Sequence, residues 1–131
     1  MVRMFLAALL VLIGACQTLA AESGIKVTEI VITSKIVKGK PIDSIKRLSS
    51  ATDKNLYCFI RTASPEGVDA KLRHQWYRGD EKAGEFELPV KGGNWRTYSR
   101  KLIQKGWAGD WRVDVLDPDG NVLKTVRFKM N

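Results

Sequence analysis

The chain contains little of what most catalytic and metal sites are made from. Its 131 residues include one histidine, His74, and two cysteines, Cys16 and Cys58. One histidine without a second ligand at useful spacing does not make a metal site, and a catalytic thiol needs a base that nothing in the sequence places beside it. Phosphate-binding loops, dinucleotide fingerprints and nucleophile elbows are also absent from the sequence. We therefore predict no enzyme activity, no metal and no cofactor.

Long hydrophobic runs are missing as well. The one extended apolar stretch, Met4–Ala15, has 12 residues, whereas a membrane-spanning helix needs about 20. Because it follows Arg3, the stretch is typical of a secretory signal and predicts export. Two endings remain open: a signal peptide of residues 1–21, or a lipoprotein signal of residues 1–15 that leaves Cys16 lipidated. A lipid on Cys16 would be the only attachment to a membrane.

Residues 22–131 provide enough chain for one domain. If Cys16 is removed or lipidated, Cys58 has no partner for an intrachain disulfide. Cys58 lies between Tyr57 and Phe59 in an apolar stretch, where a lone cysteine is usually a small buried hydrophobe. We predict that role for Cys58 rather than the role of a nucleophile.

The formal net charge of the whole chain is +8. In a cytoplasmic protein this excess would suggest a nucleic-acid partner, but export points instead to lipid headgroups, lipopolysaccharide or cell-wall polymers. The alternative, which we favour, is that surplus lysine keeps a small β-domain soluble and its sheet edges unpaired. We accordingly predict no nucleic-acid partner.

From residue 25 onward the pattern is strand, turn, strand. β-Branched and aromatic residues are frequent, and glycine, proline or aspartate separates the segments. A short helical turn is predicted over residues 42–48. The number and spacing of strands favour an all-β fold behind the signal peptide, an immunoglobulin-like antiparallel β-sandwich of about seven strands. The predicted strands are Lys26–Ile36, Asn55–Thr62, Leu72–Tyr77, Glu85–Val90, Trp95–Leu102, Trp111–Leu116 and Val122–Lys129.

Two of these strands have a predicted place in the sheets. Asn55–Thr62 has apolar residues on both faces, which indicates a central strand that is covered on both sides. Glu85–Val90 contains Pro89, which cannot donate to a ladder and therefore favours a sheet edge. Asp117–Gly120 is typical of a hairpin turn between the last two strands.

The last half of the chain also carries an ordered series of motifs. They are His74–Tyr77, Leu88–Val90, Trp95–Lys101, Gly109–Val113 and Asp119–Gly120. With these motifs in this order the chain resembles a bacterial family, Domain of Unknown Function 2914. The likeness covers most of the chain after the signal sequence: it starts near Lys40–Asp43, continues through Leu56–Phe59 and is strongest in these motifs. The resemblance implies a module of exported or membrane proteins, and it implies no activity, cofactor or catalytic residue.

The four tryptophans divide into two pairs. Trp76 and Trp111 are in phase with aliphatic residues, so we predict that both are core residues. Trp95 and Trp107 are the candidates for an exposed ring platform that binds a sugar or a peptide. Of these two, Trp107 is the stronger candidate for exposure because its loop contains glycines.

Three further groups of polar residues are candidates. His74 is predicted to be largely buried and hydrogen-bonded, with Ser99, Arg96 or the backbone near Gly92 as its partner.

Glu85 and Glu87 lie on one side of a strand, roughly 7 Å apart, and are interpreted as the solvated side of an edge strand rather than as glycosidase carboxylates.

The third group is a set of arginines. Arg96, Arg100 and Arg112 would form a basic stripe suited to carboxylate or phosphate if their strands were neighbours. The alternative is a solvated face on which acids such as Asp114 balance the charge.

The predicted function is that of a non-enzymatic, exported module that binds another protein of the bacterial envelope or serves there as a structural accessory. The alternative is the binding of carbohydrate or another cell-wall polymer. The predicted location is the periplasm or the cell envelope. The candidate binding residues are Trp107, Trp95, Arg96, Ser99, Arg100, Arg112 and His74.

Overall fold

The structure, a computed structural model, describes residues 24–131. The predicted signal sequence and Cys16 lie outside the described residues. Residues 24–131 form strands, turns and loops, and they include no helix that could cross a membrane. The strands are β1 (Lys26–Thr33), β2 (Ile36–Val37), β3 (Lys40–Pro41), β4 (Arg47–Leu48), β5 (Lys54–Ser64), β6 (Ala70–Arg78), β7 (Glu81–Val90), β8 (Gly93–Ile103), β9 (Gly109–Leu116) and β10 (Val122–Met130).

Seven long strands build two sheets that pack face to face. The smaller sheet has three strands in the order β1-β5-β8, and the larger has five in the order β4-β10-β9-β6-β7. Every pairing between long strands is antiparallel, and only the two-residue β4 runs parallel to its neighbour β10. The predicted antiparallel β-sandwich is therefore confirmed, and its seven predicted strands correspond to the seven long ones.

The predicted places of two strands are also confirmed. β5 is the central strand of the smaller sheet, and the consecutive residues Cys58, Phe59 and Ile60 are all fully buried. β7, which contains Pro89, is an edge strand of the larger sheet.

The helical turn predicted over residues 42–48 is wrong. The backbone N–H of Ile42 donates to Lys35 and that of Ile45 donates to Ile32, at 3.2 and 2.7 Å. Further along, β4 pairs with the end of β10. The segment is extended because its backbone groups bond to other parts of the chain rather than to the preceding helical turn.

A short hairpin, residues 36–41, follows β1 and is termed the ribbon. Its two-residue loop has positive φ at Lys38 (51°) and at Gly39 (72°), as a tight hairpin turn requires. The Asp43 carboxylate holds the base of the ribbon by accepting hydrogen bonds from Thr33 Oγ1 and from the backbone N–H and hydroxyl of Ser34. Partial burial opposes the ionisation of Asp43, but these hydrogen bonds outweigh it and lower its pKa below the usual value.

The core between the sheets contains Trp76 and Trp111, as predicted. They are 0% and 2% exposed. The Phe128 ring contacts both, with centroid distances of 6.2 Å to Trp76 and 5.9 Å to Trp111. These three rings come from β6, β9 and β10, so their packing fixes the middle of the larger sheet.

The predicted hairpin turn between β9 and β10 is confirmed, and a buried carboxylate organises it. Asp117 is 2% exposed and accepts hydrogen bonds from the backbone N–H groups of Asp119 and Asn121, at 2.9 and 2.8 Å. Burial of Asp117 opposes its ionisation, but the bonds from Asn121, Asp119 and Gly120 outweigh that effect and lower its pKa. The carboxylate is thus occupied by its own loop.

Candidate binding surface

The smaller sheet turns one face towards the core and the other away from it. Alternate residues of a strand lie on the same side of a sheet, so β5 and β8 each contribute one set of side chains to the second face. This face carries arginines and rings instead of aliphatic core residues. We term it the outer face, and its members are Tyr57, Phe59 and Arg61 of β5 and Arg96, Tyr98, Arg100 and Leu102 of β8.

The exposed side chains of β8 define the open end of the outer face. Tyr98 is 46% exposed and Leu102 is 47% exposed, whereas Ser99 and Ile103 of the same strand are buried in the core. The Tyr57 ring meets the Tyr98 ring edge to face at a centroid distance of 5.6 Å. Large apolar groups are therefore held in place on the surface by the sheet itself.

The other end of the outer face lies beneath the ribbon. Arg96 Nη1 donates a hydrogen bond to the backbone oxygen of Gly39 at 3.5 Å. Phe59 is 0% exposed although it lies on the side away from the core, and the Arg61 guanidinium lies 5.9 Å from its ring centroid. The ribbon therefore lies over this end, although Arg96 remains exposed and the Arg61 side chain is 41% exposed.

The charges on the outer face are unequally compensated. Arg61 forms an ion pair with Glu29 at 2.6 Å. Arg96 and Arg100 belong to no ion pair within residues 24–131. Two of the predicted candidates thus share one face and retain unpaired positive charge.

The third arginine of the predicted stripe lies elsewhere. Arg112 is on β9 in the larger sheet, and β9 does not pair with β8. Its guanidinium lies 4.1 Å from the Tyr77 ring centroid, donates to the backbone oxygen of Gly79 at 3.0 Å and pairs with Asp114 at 3.4 Å. The stripe of three arginines therefore does not form, because strands that follow one another along the chain entered different sheets.

The two candidate tryptophans do not form a common platform. Trp95 lies near the start of β8 and Trp107 lies beyond its end, and the strand from Trp95 to Ile103 is roughly 26 Å long. Both are partly buried against the core. Trp107 stacks on Trp111 at 6.3 Å and has the Lys101 ammonium 5.6 Å from its ring centroid, which leaves it less open than its loop position suggests.

His74 is buried and hydrogen-bonded, as predicted, and its partner is Ser99. The distance from His74 Nδ1 to Ser99 Oγ is 2.7 Å, and the Trp76 indole N–H donates to the same Oγ at 3.0 Å. His74 and Trp76 are on β6 and Ser99 is on β8, so these hydrogen bonds join the two sheets across the core. Burial lowers the pKa of His74 to about 4, and the imidazole is neutral near pH 7.

The His74–Ser99 pair has the separation of a nucleophile and its base but not their access to substrate. His74 is 0% exposed and Ser99 is 3% exposed. No substrate can reach the pair unless the sheets part. We therefore assign both residues to the structure of the core.

Glu85 and Glu87 bond to the neighbouring strand β6 and to the start of β7. Glu85 pairs with Lys82 at 2.7 Å and with Arg73 at 3.4 Å, and Glu87 pairs with Lys71 at 3.2 Å. The hydrogen bond from Lys82 is the main cause that lowers the pKa of Glu85. A general acid in a glycosidase needs the opposite shift, so these carboxylates act as surface ion-pair partners.

Cys58 should be inert in the folded protein. The thiol is 0% exposed, and burial raises its pKa strongly, so the reactive thiolate is suppressed. We expect a disulfide reagent to modify Cys58 on the order of 1,000-fold more slowly in the folded chain than in the urea-unfolded chain. A Lys105→Cys variant, with an added thiol in an exposed loop, should be modified at that thiol at once. Equally fast modification of Cys58 would contradict its burial.

Several members of the outer face are not among the sequence candidates. Tyr98 and Leu102 show a detectable signal, since exposed positions alternate along β8 with core positions, whereas Tyr57 lies on β5, along which burial does not alternate. The alternation predicts two faces of the strand but does not reveal which one meets the core. The described residues contain no group of three or more histidine, cysteine, aspartate or glutamate side chains able to hold a metal ion.

The sequence resemblance is confirmed by a family comparison. The model of a family described as "Protein of unknown function (DUF2914)" matches residues 69–130, which contain β6 to β10. The match covers just under half of the chain and leaves out the ribbon and β5. No curated protein matches the chain significantly.

Solved structures show where the fold occurs. An immunoglobulin-like protein from Pseudomonas aeruginosa matches with a TM-score of 0.53 at 12% identity, over 85% of this chain and 99% of that one. An alkylpurine DNA glycosylase from Pseudomonas fluorescens, bound to DNA containing an abasic site analogue, matches with a TM-score of 0.53 at 15% identity. That match covers 85% of this chain but 31% of the glycosylase. Such low identities show a shared fold alone, and the predicted immunoglobulin-like architecture is confirmed.

Proposed function

We propose that this chain, whose residues 69–130 match a family of unknown function, is an exported, non-enzymatic module that binds a protein in the bacterial envelope. The proposed contact surface is the open end of the outer face: Tyr57, Tyr98, Arg100 and Leu102. One observation carries the proposal. Two large apolar side chains, each nearly half exposed, flank an unpaired arginine on a single strand.

The chemistry of this surface is that of a protein interface. Tyrosine and arginine are enriched where proteins bind one another and often supply much of the binding energy. Arg100 has no acidic partner within residues 24–131, so a carboxylate of the bound protein would compensate it. Because the strands fix the backbone of these residues and the Tyr57 and Tyr98 rings contact each other, binding orders fewer groups than it would in a flexible loop.

The burial and the ion pairs of the potentially reactive side chains favour a binding role over a catalytic one. His74, Ser99 and Cys58 are buried, and Glu85 is engaged in two ion pairs. A binding role needs none of them at the surface. The apolar stretch Met4–Ala15 is the reason for proposing export. An exported protein would meet its partner in the periplasm or on the cell envelope.

The sugar-binding alternative has weaker support. A ring platform needs exposed aromatic faces, whereas Trp95 and Trp107 are partly buried and lie at opposite ends of β8. Polymer binding is therefore an outcome to be distinguished rather than a second proposal.

The test is a comparison of variants in a retention experiment. The ten strands of residues 24–131 lie between Lys26 and Met130, so a chain that begins at Glu22 contains all of them. This chain is immobilised and exposed to solubilised envelope proteins and, separately, to purified cell-wall polymer, over a series of salt concentrations. The variants are Tyr98→Ala/Leu102→Ala and, as a control at an exposed apolar residue of the larger sheet, Val122→Ala.

We expect one envelope protein to be retained at high salt by the wild type and by Val122→Ala. The double variant should bind it at least about tenfold more weakly, since one interface tyrosine commonly contributes 1 to 2 kcal/mol or more. Equal retention by both variants would contradict the proposed surface. If the polymer is retained saturably and Trp107→Ala abolishes that retention, the result would favour the sugar-binding alternative. Binding that disappears as the salt concentration rises would indicate nonspecific electrostatic attraction.

A further inference from the structure

A second feature of the outer face lies at the end beneath the ribbon. There the ribbon, β1, β5 and β8 border an open cavity of about 610 Å³. Its charged lining residues are Lys40, Arg61 and Arg96, and Thr28 and Asn94 add a hydroxyl and an amide. The volume is in the range of small-ligand sites, and the lining is polar and basic.

Two of the cations face each other across neighbouring strands. Arg61 of β5 lies directly opposite Arg96 of β8 in the antiparallel register. Like charges at such positions destabilise a sheet unless something neutralises them. Glu29 pairs with Arg61 alone, and neither Arg96 nor Lys40 belongs to an ion pair within the described residues. Three cationic groups and one carboxylate thus leave two uncompensated positive charges.

The ribbon positions the third cation. The turn at Lys38 and Gly39 reverses the chain so that Lys40 lines the cavity. Arg96 bonds to the backbone oxygen of Gly39, and Asp43 fixes the base of the ribbon. The three cations therefore line one cavity before any ligand binds, and a bound anion would compensate the like charges of Arg61 and Arg96.

We propose that this cavity is a binding site for a phosphate group. A phosphate monoester carries between about 1.5 and 2 negative charges at neutral pH, which matches the two uncompensated positive charges. Guanidinium groups bind phosphate oxygens through paired N–H donors, and a lysine ammonium adds a point charge. Phosphate oxygens occur in a phosphorylated soluble molecule and, as a phosphodiester with one negative charge, in the headgroup of a phospholipid such as phosphatidylglycerol. The site is separate from Tyr98 and Leu102, and the inference stands without the proposed protein partner.

The experiment measures binding of inorganic pyrophosphate to the chain that begins at Glu22, by calorimetry at fixed ionic strength. The variants are Arg96→Gln and Lys40→Gln. Each has a control with the same charge change at an exposed position of β10, Arg127→Gln for the arginine and Lys124→Gln for the lysine. Thermal unfolding of all variants confirms that they fold.

We expect saturable binding by the wild type and by both controls, with dissociation constants within about twofold of one another. Arg96→Gln should weaken binding by at least about tenfold because it removes a paired donor and a charge, and Lys40→Gln should weaken it by less. Tyr98→Ala/Leu102→Ala should bind pyrophosphate normally, which separates this inference from the proposed protein contact.

A second arm distinguishes the source of the phosphate. Vesicles of phosphatidylglycerol are compared with vesicles of phosphatidylcholine by cosedimentation. Binding to phosphatidylglycerol that Arg96→Gln loses and Arg127→Gln keeps would identify a lipid headgroup. Pyrophosphate binding without vesicle binding would identify a soluble phosphorylated ligand. The proposal is overturned if pyrophosphate does not bind saturably, or if Arg127→Gln weakens binding as much as Arg96→Gln.

Discussion

Replacing Ser99 by alanine should lower the free energy of unfolding by roughly 2 to 4 kcal/mol. The Ser99 hydroxyl is the partner of two buried groups on the opposite sheet, His74 Nδ1 and the Trp76 indole N–H. Its removal leaves both without a partner in the core, and each buried unsatisfied polar group costs about 1 to 3 kcal/mol. The measurement is urea unfolding followed by tryptophan fluorescence and circular dichroism, and the melting temperature should fall by about 10 °C or more.

A matched control exists on the neighbouring strand. Thr62 of β5 is 1% exposed, and its hydroxyl has no hydrogen-bond partner among the described residues. Thr62→Val removes a buried hydroxyl that bonds to nothing, so it should leave the free energy of unfolding unchanged or raise it. If Ser99→Ala costs no more than Thr62→Val, the two hydrogen bonds across the core do not stabilise the fold as described.

The second large effect concerns pH. Burial lowers the pKa of His74 to about 4 from an ordinary value of 6.5. Between these two values the unfolded chain binds a proton that the folded chain does not, so acid favours unfolding. His74 should therefore make the protein less stable by about 3 kcal/mol as the pH falls from about 7.5 to 4, with no contribution to the pH dependence above about pH 7.5.

The comparison is with His74→Gln, whose amide can still bond to Ser99 but does not titrate. Wild-type stability measured by urea unfolding should decline between about pH 7.5 and about pH 4, whereas that of the variant should change much less. Asp43 and Asp117 have lowered pKa values, so their stabilisation is lost only below about pH 4. Identical pH profiles for wild type and variant would show that His74 is not held neutral in the core.

The strands were open to prediction because their signals are local. The alternation of polar and apolar residues along a strand, and the proline at position 89, can be recognised from neighbouring residues alone. Cys58, Phe59 and Ile60 are three consecutive apolar residues, which indicates a strand covered on both sides, and β5 has that position. The turn at Asp117 is likewise predictable, since its carboxylate bonds to its own loop.

The segment 42–48 shows where local signals fail. Its sequence is compatible with a helical turn, but Ile42 and Ile45 donate their backbone N–H groups to residues of the preceding chain, and β4 pairs with β10. The free energy gained by these distant pairings outweighs a weak local preference.

The binding surface shows the same division. Arg96 and Arg100 are correctly identified as sharing a face because both lie on one strand at a spacing of four. Arg112 is wrongly added to them, since nothing near position 112 specifies which sheet β9 joins. Lys40 and Arg61 could not be grouped with Arg96 from the sequence, for a related reason. The ribbon and the β5–β8 register bring the three residues to the same cavity.

Local sequence is therefore sufficient for the seven long strands, the turn at Asp117, the buried tryptophans and the burial of Cys58, because each depends on neighbouring residues and on composition. The arrangement of the sheets in space settles the rest. Strands far apart along the chain pair according to their summed packing and hydrogen bonding, and only then are Tyr98 and Leu102 turned outward, Ser99 placed beside His74, and three cations brought around one cavity.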